Sequence, residues 1–274
     1  MCNLSVIMAT YNENIGFLQN CIQSILNQTY GEFEFLIVIE PGESNRDYLN
    51  QVSVADNRIR IIENTSRLGV AASRNRAITE SRGKYIALID GDDYCDVSRF
   101  EKQISFLERN PEISVVGSNM FLVDEKDNIV GERKYPELPD DIRRYFLLVM
   151  AMANPTIMTR MKDLKKIGLF DEHFSKAEDF ELWLRFLVGK KKMYNLRDHL
   201  VYYRVLTNSN EKRGRIHYKN YHIARKRYSK QIWPFHLSFL SLSFSFVISH
   251  IPNILLNVLL NLSLVNKMKS IERN

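Results

Sequence analysis

Three carboxylates within four residues follow an apolar run in the segment YIALIDGDDY, at Asp90, Asp92 and Asp93. Carboxylates this close repel one another unless a cation lies among them. Oxygen ligands of this kind suit Mg²⁺ or Mn²⁺, which proteins often hold with one or two carboxylates and the phosphates of a substrate. An exposed acidic turn, or an aspartate cap for a helix that begins near Val97, would also account for the segment. Its position after a buried strand favours the metal site.

A second pair of acids lies in the segment HFSKAEDFELWLRFL. Ser175 and Glu178 have the spacing of a capping box, which predicts Ser175 as the helix N-cap and gives Glu178 a structural role. Asp179 has no such explanation beyond the preference for acids in the first helical turn. Because a carboxylate at a helix start is held rigidly, Asp179 is the candidate general base. The helix is predicted to bury an apolar stripe of Phe180, Trp183, Leu184 and Leu187.

Alternating strands and helices must position these acids. The predicted strands are Leu4–Ala9, Phe33–Ile39, Arg58–Ile62, Tyr85–Ile89 and Ile113–Gly117. The predicted helices include one with an apolar face at Leu18, Ile22, Ile25 and Leu26, followed by Ala71–Glu80 and Arg99–Glu108. This alternation predicts an α/β fold with a mostly parallel sheet and helices on both faces. Ligands bind beyond the carboxyl ends of the strands in such sheets, so the candidate ligand-binding residues are those that follow each strand.

Two other strand ends carry polar residues but weaker signals. The segment Thr10–Asn14 follows the first strand, where an asparagine would also serve as the cap of the next helix. The second strand is followed by Glu40-Pro41-Gly42, which on its own indicates a turn.

The composition is that of a globular protein with an uneven charge. The chain has 274 residues and a formal net charge of +6, with 45% apolar and 26% charged residues, which excludes collagen-like and disordered classes. Residues 1–204 contain 27 basic and 30 acidic side chains, whereas residues 205–274 contain 11 and 2. The positive charge therefore belongs to the tail, and we expect no nucleic-acid partner.

The cysteines and the N-terminus favour an intracellular setting for the catalytic part. Cys2, Cys21 and Cys95 have spacings that suit neither a zinc site nor a disulfide framework. The N-terminus lacks a basic region followed by a signal-type apolar stretch. We therefore expect that the catalytic part is not exported.

The tail combines a basic segment with an uncharged, apolar one. Glu211–Lys230 is rich in Lys, Arg, Tyr and His, and Gln231–Asn266 has no formally charged residue. Polar residues recur every three or four positions on either side of Pro252, which predicts two helices with one narrow polar stripe each. The recurring residues are Ser238, Ser241, Ser245 and Ser249, then Asn253, Asn257 and Asn261.

These tail helices are expected to associate with the cytoplasmic surface of the cell membrane. Each has roughly 15 residues, or about 22 Å, which is short of a hydrocarbon core of about 30 Å. The basic segment would be attracted to anionic lipids. A single kinked transmembrane helix, or helices packed on the catalytic domain or a partner chain, remain alternatives. The basic-aromatic segment also admits RNA binding, although no recognition motif supports it.

Five segments taken in order resemble the family 2 glycosyltransferases, over roughly residues 3–205. They read LSVIMATYNEN, CIQSILNQTYGEFEFLIV, NTSRLGVAASRNRAI, GKYIALIDGDDY and AEDFELWLR. The resemblance implies the GT-A fold, with a Rossmann-like nucleotide-binding half, and transfer of a sugar from a nucleoside diphosphate donor with inversion at the anomeric carbon. The donor it implies is usually a UDP-sugar, bound with Mn²⁺ or Mg²⁺.

The resemblance assigns the nucleotide pocket to residues after the first two strands. Glu40 takes the first of two acidic positions after the second strand, but Pro41 stands where the family usually has the second acid, which contacts the base. This departure puts base recognition, and with it a uridine donor, in question. The residues matching the base and ribose pocket are Ala9, Thr10, Tyr11 and Asn12.

The resemblance also assigns the reacting groups. Asp179 matches the general base that deprotonates the acceptor hydroxyl. Arg204 lies in a segment resembling the loop that closes over the donor phosphates, although a plain exposed arginine is equally compatible. Arg74 and Asn75 match a helix that borders the donor site. The metal and ribose carboxylates match Asp90 and Asp92, with Gly91 between them and Asp92 as the better metal ligand.

The sequence therefore predicts a catalytic domain over residues 1–205 and a membrane-associating tail over residues 206–274. The predicted activity is sugar transfer to a glycan or a lipid-linked acceptor in the synthesis of capsule, O-antigen or lipopolysaccharide. Nucleotidyl transfer is an alternative, but the chain has no Gly-rich, Lys-containing phosphate loop. A non-catalytic, membrane-bound scaffold is a second alternative, which Glu40-Pro41 alone favours.

Overall fold

Nine strands form the central sheet in the part of the chain that the computed structural model describes, residues 3–206 and 209–250. The strands are β1 (Leu4–Thr10), β2 (Phe33–Ile39), β3 (Ile59–Glu63), β4 (Tyr85–Leu88), β5 (Tyr94–Cys95), β6 (Ile113–Val123), β7 (Ile129–Arg133), β8 (Met158–Arg160) and β9 (Lys192–Arg204).

Helices cover the sheet and form the C-terminal part of the described chain. They are α1 (Ile15–Leu26), α2 (Arg46–Ala55), α3 (Val70–Glu80), α4 (Arg99–Arg109), α5 (Pro139–Tyr145), α6 (Met161–Ile167), α7 (Glu178–Val188), α8 (Ser209–Ile232) and α9 (Phe235–His250), with a short 3₁₀ turn at Asn154–Thr156.

The elements predicted for the first half of the chain are confirmed. The first four predicted strands agree with β1 to β4 within one residue at each end, and the fifth, β6, continues to Val123. The helices predicted at Ala71–Glu80 and Arg99–Glu108 correspond to α3 and α4. Asn14 caps α1, because its side-chain oxygen accepts hydrogen bonds from the backbone of Gly16 and Phe17.

The prediction of a mostly parallel sheet is wrong, because the sheet is mixed. Its order is β3-β2-β1-β4-β8-β6-β9-β5, and β7 pairs with β6. The pairs β3–β2, β2–β1, β1–β4 and β6–β9 are parallel, whereas β4–β8, β8–β6, β6–β7 and β9–β5 are antiparallel. Residues 124–128 joining β6 to β7 are too few for a parallel crossover, which needs a dozen or more residues.

Alternate side chains of the central strands enter two cores on opposite faces of the sheet. In β1, Val6 packs in the core that contains the buried face of α1, whereas Ile7 packs in the core that contains α3 and α7. The apolar run of β2 is divided in the same way. Burial on both faces explains why these strands are continuous apolar runs, and it fixes the edge at which their carboxyl ends meet.

Helix α8, which includes the basic segment Glu211–Lys230, packs on the catalytic body. Ala224 and Trp233 lie in the same core as Trp183 of α7. The Tyr228 hydroxyl donates a hydrogen bond of 2.6 Å to Glu181 of α7. The boundary predicted at residue 205 thus separates segments that share one core.

Helix α9 packs on α8. Among residues 3–206 and 209–250, no helix combines the length and the apolar composition that crossing a bilayer requires. The second predicted tail helix, with Asn253, Asn257 and Asn261, lies outside the described residues.

Candidate active site

The acidic segment follows β4 at the carboxyl edge of the sheet. β1 and β4 are parallel neighbours, so the residues that follow them lie side by side. A Cβ atom added at Gly91 would lie 3.3 Å from the Thr10 hydroxyl and 3.4 Å from a side-chain carbon of Glu13. The absence of a side chain at Gly91 therefore lets the loop after β1 approach the acidic segment closely.

Two of the three aspartates, Asp90 and Asp92, line a cavity of about 570 Å³. Asp93 is buried instead, and its carboxylate accepts a 2.8 Å hydrogen bond from the backbone N–H of Arg204. Burial, followed by the charges of Asp92 and Asp90, raises the pKa of Asp93 well above its usual range. The acidic segment thus presents one pair of carboxylates to the cavity and uses the third inside the fold.

Arg74 connects the acidic segment to the start of α7. Its guanidinium is buried and lies 2.6 Å from an Asp90 oxygen and 2.9 Å from a Glu178 oxygen. Burial opposes the charge of Arg74, but the carboxylates of Asp90 and Glu178 raise its pKa. This double ion pair fixes the distance between two parts of the cavity that are far apart in sequence.

Helix α7 begins at Glu178, so the predicted capping box is wrong. Ala177 precedes the helix in the left-handed conformation, with φ 63° and ψ 25°, and no side chain caps the first turn. Glu178 is therefore the first helical residue and not the third, and its carboxylate pairs with Arg74. The exposed Ser175 has no capping role.

Asp179 lines the same cavity as Asp90 and Asp92. One of its oxygens accepts a 2.7 Å hydrogen bond from the backbone N–H of Phe180. Burial is the main cause, and the charge of Glu178 the second, of a rise in the pKa of Asp179 to about 7. A carboxylate with a pKa near neutrality, held rigidly against a cavity, has the properties of a general base.

Arg204 is neither exposed nor aimed at the solvent. Its guanidinium donates hydrogen bonds to the backbone oxygens of Asp92 (3.0 Å) and Asp124 (2.7 Å) and to the Asp127 carboxylate (2.6 Å). The alternative of a plain exposed arginine is therefore wrong. Arg204 fastens the acidic segment to the end of β9, and its predicted contact with donor phosphates stays a prediction.

A second polar cluster lies where β1 and β2 end. The backbone N–H of Asn12 donates a 2.9 Å hydrogen bond to the Glu43 carboxylate, and the Asn12 side-chain oxygen accepts from the backbone of Ser44. The Arg67 guanidinium stacks on the Tyr11 ring at 4.0 Å from its centroid. Glu43 thus supplies an acid to this cluster. The resemblance to the family places the second acid at position 41, where this chain has Pro41, and it gives no indication of Glu43.

Glu40 holds the backbone before α3. It is buried, and its carboxylate accepts hydrogen bonds from the backbone N–H groups of Leu68 and Gly69 and from the Ser73 hydroxyl. These contacts give Glu40 a structural role, and its predicted part in donor binding stays a prediction.

Asn75 also has structural contacts. Its amide group bonds the backbone oxygen and N–H of Phe170, each at 2.9 Å, and the Glu172 carboxylate at 2.8 Å. Asn75 therefore fastens the segment that leads to α7.

Five of the predicted site residues line the large cavity, namely Arg74, Asp90, Asp92, Asp179 and Arg204.

The cavity has a second wall that sequence reasoning missed. It includes His217 and Tyr221 of α8, Lys176 before α7, and Arg133 and Tyr135 at the end of β7. These residues carry no local motif, and His217 and Tyr221 reach the cavity through the packing of α8 on the catalytic body. The wall adds basic and aromatic groups to the lining of the cavity.

The two aspartates of the cavity fit a divalent cation that a substrate completes. No group of three or more His, Cys, Asp and Glu side chains suited to a metal ion occurs among the side chains described, those of residues 3–206 and 215–250. Magnesium sites that bind phosphate substrates use one or two carboxylates, which Asp90 and Asp92 supply. Asp90 also pairs with Arg74; that Asp92 is the better ligand of the two stays a prediction.

The sequence is similar to proteins of one family. It matches the model described as "Glycosyl transferase family 2" over residues 5–168. It is 35% identical over 210 residues to an uncharacterized glycosyltransferase of Methanocaldococcus jannaschii, covering 76% of this chain and 72% of the relative. Two Escherichia coli proteins are also similar. The O-antigen biosynthesis glycosyltransferase WbnJ is 30% identical, with 79% and 85% covered. The UDP-Glc:alpha-D-GlcNAc-diphosphoundecaprenol beta-1,3-glucosyltransferase WfgD is 28% identical, with 67% and 69% covered.

The fold is similar to that of two solved glycosyltransferases. TarS residues 1–349 of S. aureus, in complex with UDP-GlcNAc, superposes with a TM-score of 0.70 at 17% identity, covering 90% of this chain and 72% of TarS. Mannosyltransferase PcManGT of Pyrobaculum calidifontis, in complex with GDP-Man and Mn²⁺, gives 0.64 at 14% identity, with 92% and 70% covered. At these identities the likeness concerns the fold alone.

Proposed function

The chain belongs to glycosyl transferase family 2, and from this membership we propose an inverting transferase that moves a sugar from a nucleoside diphosphate sugar to an acceptor hydroxyl. The acceptor is a glycan or a lipid-linked glycan of cell-surface polysaccharide biosynthesis. The observation that carries the proposal is one cavity lined by Asp90, Asp92 and Asp179, in which Arg74 pairs with Asp90 and with Glu178, the neighbour of Asp179.

Asp179 acts as the base in this proposal. Its carboxylate takes the proton of the acceptor hydroxyl while that oxygen attacks the anomeric carbon of the donor sugar. The bond from the anomeric carbon to the diphosphate breaks, and the diphosphate leaves with the electron pair. A single displacement from the side opposite the leaving group inverts the anomeric configuration. The pKa of Asp179, about 7, lets it accept this proton near neutral pH and release it afterwards.

Asp90 and Asp92 hold the donor end of the reaction. When bound there, Mn²⁺ or Mg²⁺ would neutralise negative charge that gathers on the departing diphosphate. The two aspartates keep their places because Gly91 allows the loop after β1 to pack closely and because Arg204 binds the backbone of Asp92.

The donor we propose is a UDP-sugar, bound in part by the polar cluster of Tyr11, Asn12 and Glu43. Support comes from a relative whose name specifies UDP-Glc and from a structural neighbour that binds UDP-GlcNAc. Another neighbour binds GDP-Man, so the fold accommodates more than one base. The hypothesis of a scaffold with a degenerate donor site rests on Pro41, which stands where an acid is expected. Glu43 weakens that hypothesis, because it supplies an acid to the polar cluster.

A panel of nucleotide sugars tests the proposal. The purified chain with Mn²⁺ should release nucleoside diphosphate from one donor, and faster when membrane extracts or oligosaccharide acceptors are added. Asp179→Asn should reduce transfer by a factor of about 10² to 10⁴ and leave donor binding, measured by calorimetry with UDP and Mn²⁺, within a factor of about three. A folded protein that turns over none of the donors contradicts the proposal. An equal loss of transfer and donor binding in Asp179→Asn contradicts the assignment of the base.

A further inference from the structure

Helix α9 has its polar side inside and its apolar side outside. Its buried residues are four serines, none more than 3% exposed. The outward side carries large apolar side chains, with Phe235 79% and Phe239 64% exposed. Helices on the surface of a soluble protein show the opposite arrangement. The remaining exposed apolar residues of α9 are Leu240, Phe244, Phe246 and Val247.

The buried serines are satisfied within the protein. The Ser241 hydroxyl donates a 2.6 Å hydrogen bond to the backbone oxygen of Leu147, and the Ser238 hydroxyl lies 2.9 Å from the backbone oxygen of Trp233. Ser245 lies 2.9 Å from a ring nitrogen of His222 in α8. These hydrogen bonds fix the serine side of α9 against the body. The apolar side, which lies opposite the serines, therefore faces outward.

A stripe of exposed lysines on α8 adjoins this apolar face. Lys219, Lys226 and Lys230 recur at intervals of seven and four, with the exposed Ile216 and Ile223 between them in sequence at helical spacing. None of the three lysines forms an ion pair with the side chains described, those of residues 3–206 and 215–250. Lys226 follows by one turn the His222 ring that contacts α9, so the lysine stripe lies on the side of α8 next to α9.

We propose that the apolar face of α9 and the lysine stripe of α8 dock together on an anionic membrane surface. Aromatic and aliphatic side chains would enter the boundary between headgroups and acyl chains, while the lysines pair with anionic headgroups. A protein partner would need acids and a shaped apolar groove, whereas a bilayer offers both charge and an apolar interior along the whole helix. The 16 residues described for α9 span about 24 Å, which is less than a hydrocarbon core of about 30 Å and suits a helix lying in the surface.

The docking surface adjoins the acceptor end of the catalytic cavity. His217 and Tyr221 of α8 line the cavity, and the next residue, His222, contacts Ser245 and Phe246 of α9. Docking would therefore hold this end of the cavity at the membrane surface, where a lipid-linked acceptor presents its sugar. This last step rests on the proposed glycosyl transfer, and it selects lipid-linked acceptors from the wider class.

Vesicle flotation with the full chain tests the docking. Vesicles of phosphatidylcholine with about one third phosphatidylglycerol should carry the wild type to the top of the gradient, and phosphatidylcholine alone should bind it less. The double variant Phe239→Ser/Phe246→Ser should bind the anionic vesicles at least about tenfold more weakly. Val54→Ser is the matched control, since Val54 is 88% exposed on α2 and should not affect binding. Lys226→Gln/Lys230→Gln should remove the preference for anionic vesicles and the sensitivity to salt.

A tryptophan reporter shows whether the face is covered by something else. Phe239→Trp should be quenched by iodide in the free protein and by brominated lipids after vesicles are added. Protection from iodide without vesicles would mean that another part of the chain or a second copy covers the face, and either result overturns the proposal. Light scattering would separate these two cases. Wild type that ignores anionic vesicles also overturns it.

Donor turnover separates this inference from the proposed function. The variants Phe239→Ser/Phe246→Ser and Val54→Ser should retain hydrolysis of the donor sugar at the wild-type rate. Turnover without vesicle binding would refute the docking and leave the glycosyl transfer in place. Vesicle binding without turnover of any donor would refute the transfer and the choice of acceptor, but not the docking surface.

Discussion

Replacing Arg74 by methionine tests whether the double ion pair organises the active site. The change leaves the Glu178 carboxylate, only 11% exposed, without its positive partner at 2.9 Å. Removing one member of a buried ion pair costs about 3–5 kcal/mol, because the remaining charge is left uncompensated. Asp90 is 34% exposed, so solvent compensates it more easily and its contribution is smaller. We expect Arg74→Met to lower the free energy of unfolding by about 3–5 kcal/mol.

Urea denaturation of the metal-free protein measures this loss, with two comparisons. Arg46→Met breaks an ion pair with Glu63 whose side chains are 41% and 44% exposed, so it should cost no more than about 1 kcal/mol. Adding Glu178→Gln to Arg74→Met removes the uncompensated charge and should recover about 2 kcal/mol. The double-mutant cycle then reports the coupling of Arg74 with Glu178 alone.

The same substitution has a second consequence for activity. Arg74 lowers the pKa of Asp179, so Arg74→Met should raise that pKa above about 7 and move the rise of activity with pH in the alkaline direction. A loss of stability below about 1 kcal/mol, or additive effects of Arg74→Met and Glu178→Gln, would show that the ion pair does not organise this region.

Two further predictions concern the base and the metal. In the proposed mechanism the base is the deprotonated form of Asp179, so kcat/KM should rise with pH, with a midpoint near 7. Glu178→Gln removes a charge that raises this pKa and should shift the rise to lower pH; a flat profile between about pH 5 and pH 9 would contradict the assignment. Chelation of divalent cations should stop donor turnover, and Mn²⁺ should restore it. Asp92→Asn should raise the Mn²⁺ concentration needed for half-maximal rate about tenfold more than Asp90→Asn, because Asp90 is compensated by Arg74; the reverse order would refute the choice of Asp92.

The first half of the fold could be predicted because its signals are local. The strands β1, β2 and β4 are buried on both faces, so their apolar runs are continuous and bounded by polar turns. The helices α1 and α3 carry apolar faces at helical spacing, and Asn14 is a standard cap. Each of these patterns depends on residues within one element, which a sequence displays directly.

The antiparallel part of the sheet could not be predicted in the same way. β8, Met158–Arg160, has three residues and β5 has two, which is too short for any periodicity to appear. Their pairing depends on strands that are distant in sequence, such as β8 between β4 and β6. The mixed character of the sheet therefore appears only in the folded chain.

The start of α7 shows a local pattern overruled by a distant partner. Ser175 and Glu178 have capping-box spacing, but Ala177 adopts the left-handed conformation and the helix begins two residues later than predicted. The carboxylate of Glu178 pairs instead with the buried guanidinium of Arg74 at 2.9 Å. The pattern in sequence was genuine, but the competing interaction lies about a hundred residues away.

The sequence by itself determined the chemical groups: an acidic segment after a buried strand, a carboxylate at a helix start, and a helix with a serine stripe. Covalent order and periodicity are enough for these, because they involve neighbours along the chain. The tertiary structure decided that Arg74 joins Asp90 to Glu178, that Glu43 enters the cluster at Asn12, and that the serines of α9 face inward. Periodicity defines two faces of a helix but does not say which one faces the protein. Only the body against which α9 packs settles that choice, since it offers the backbone oxygens and the histidine that the serine hydroxyls bond.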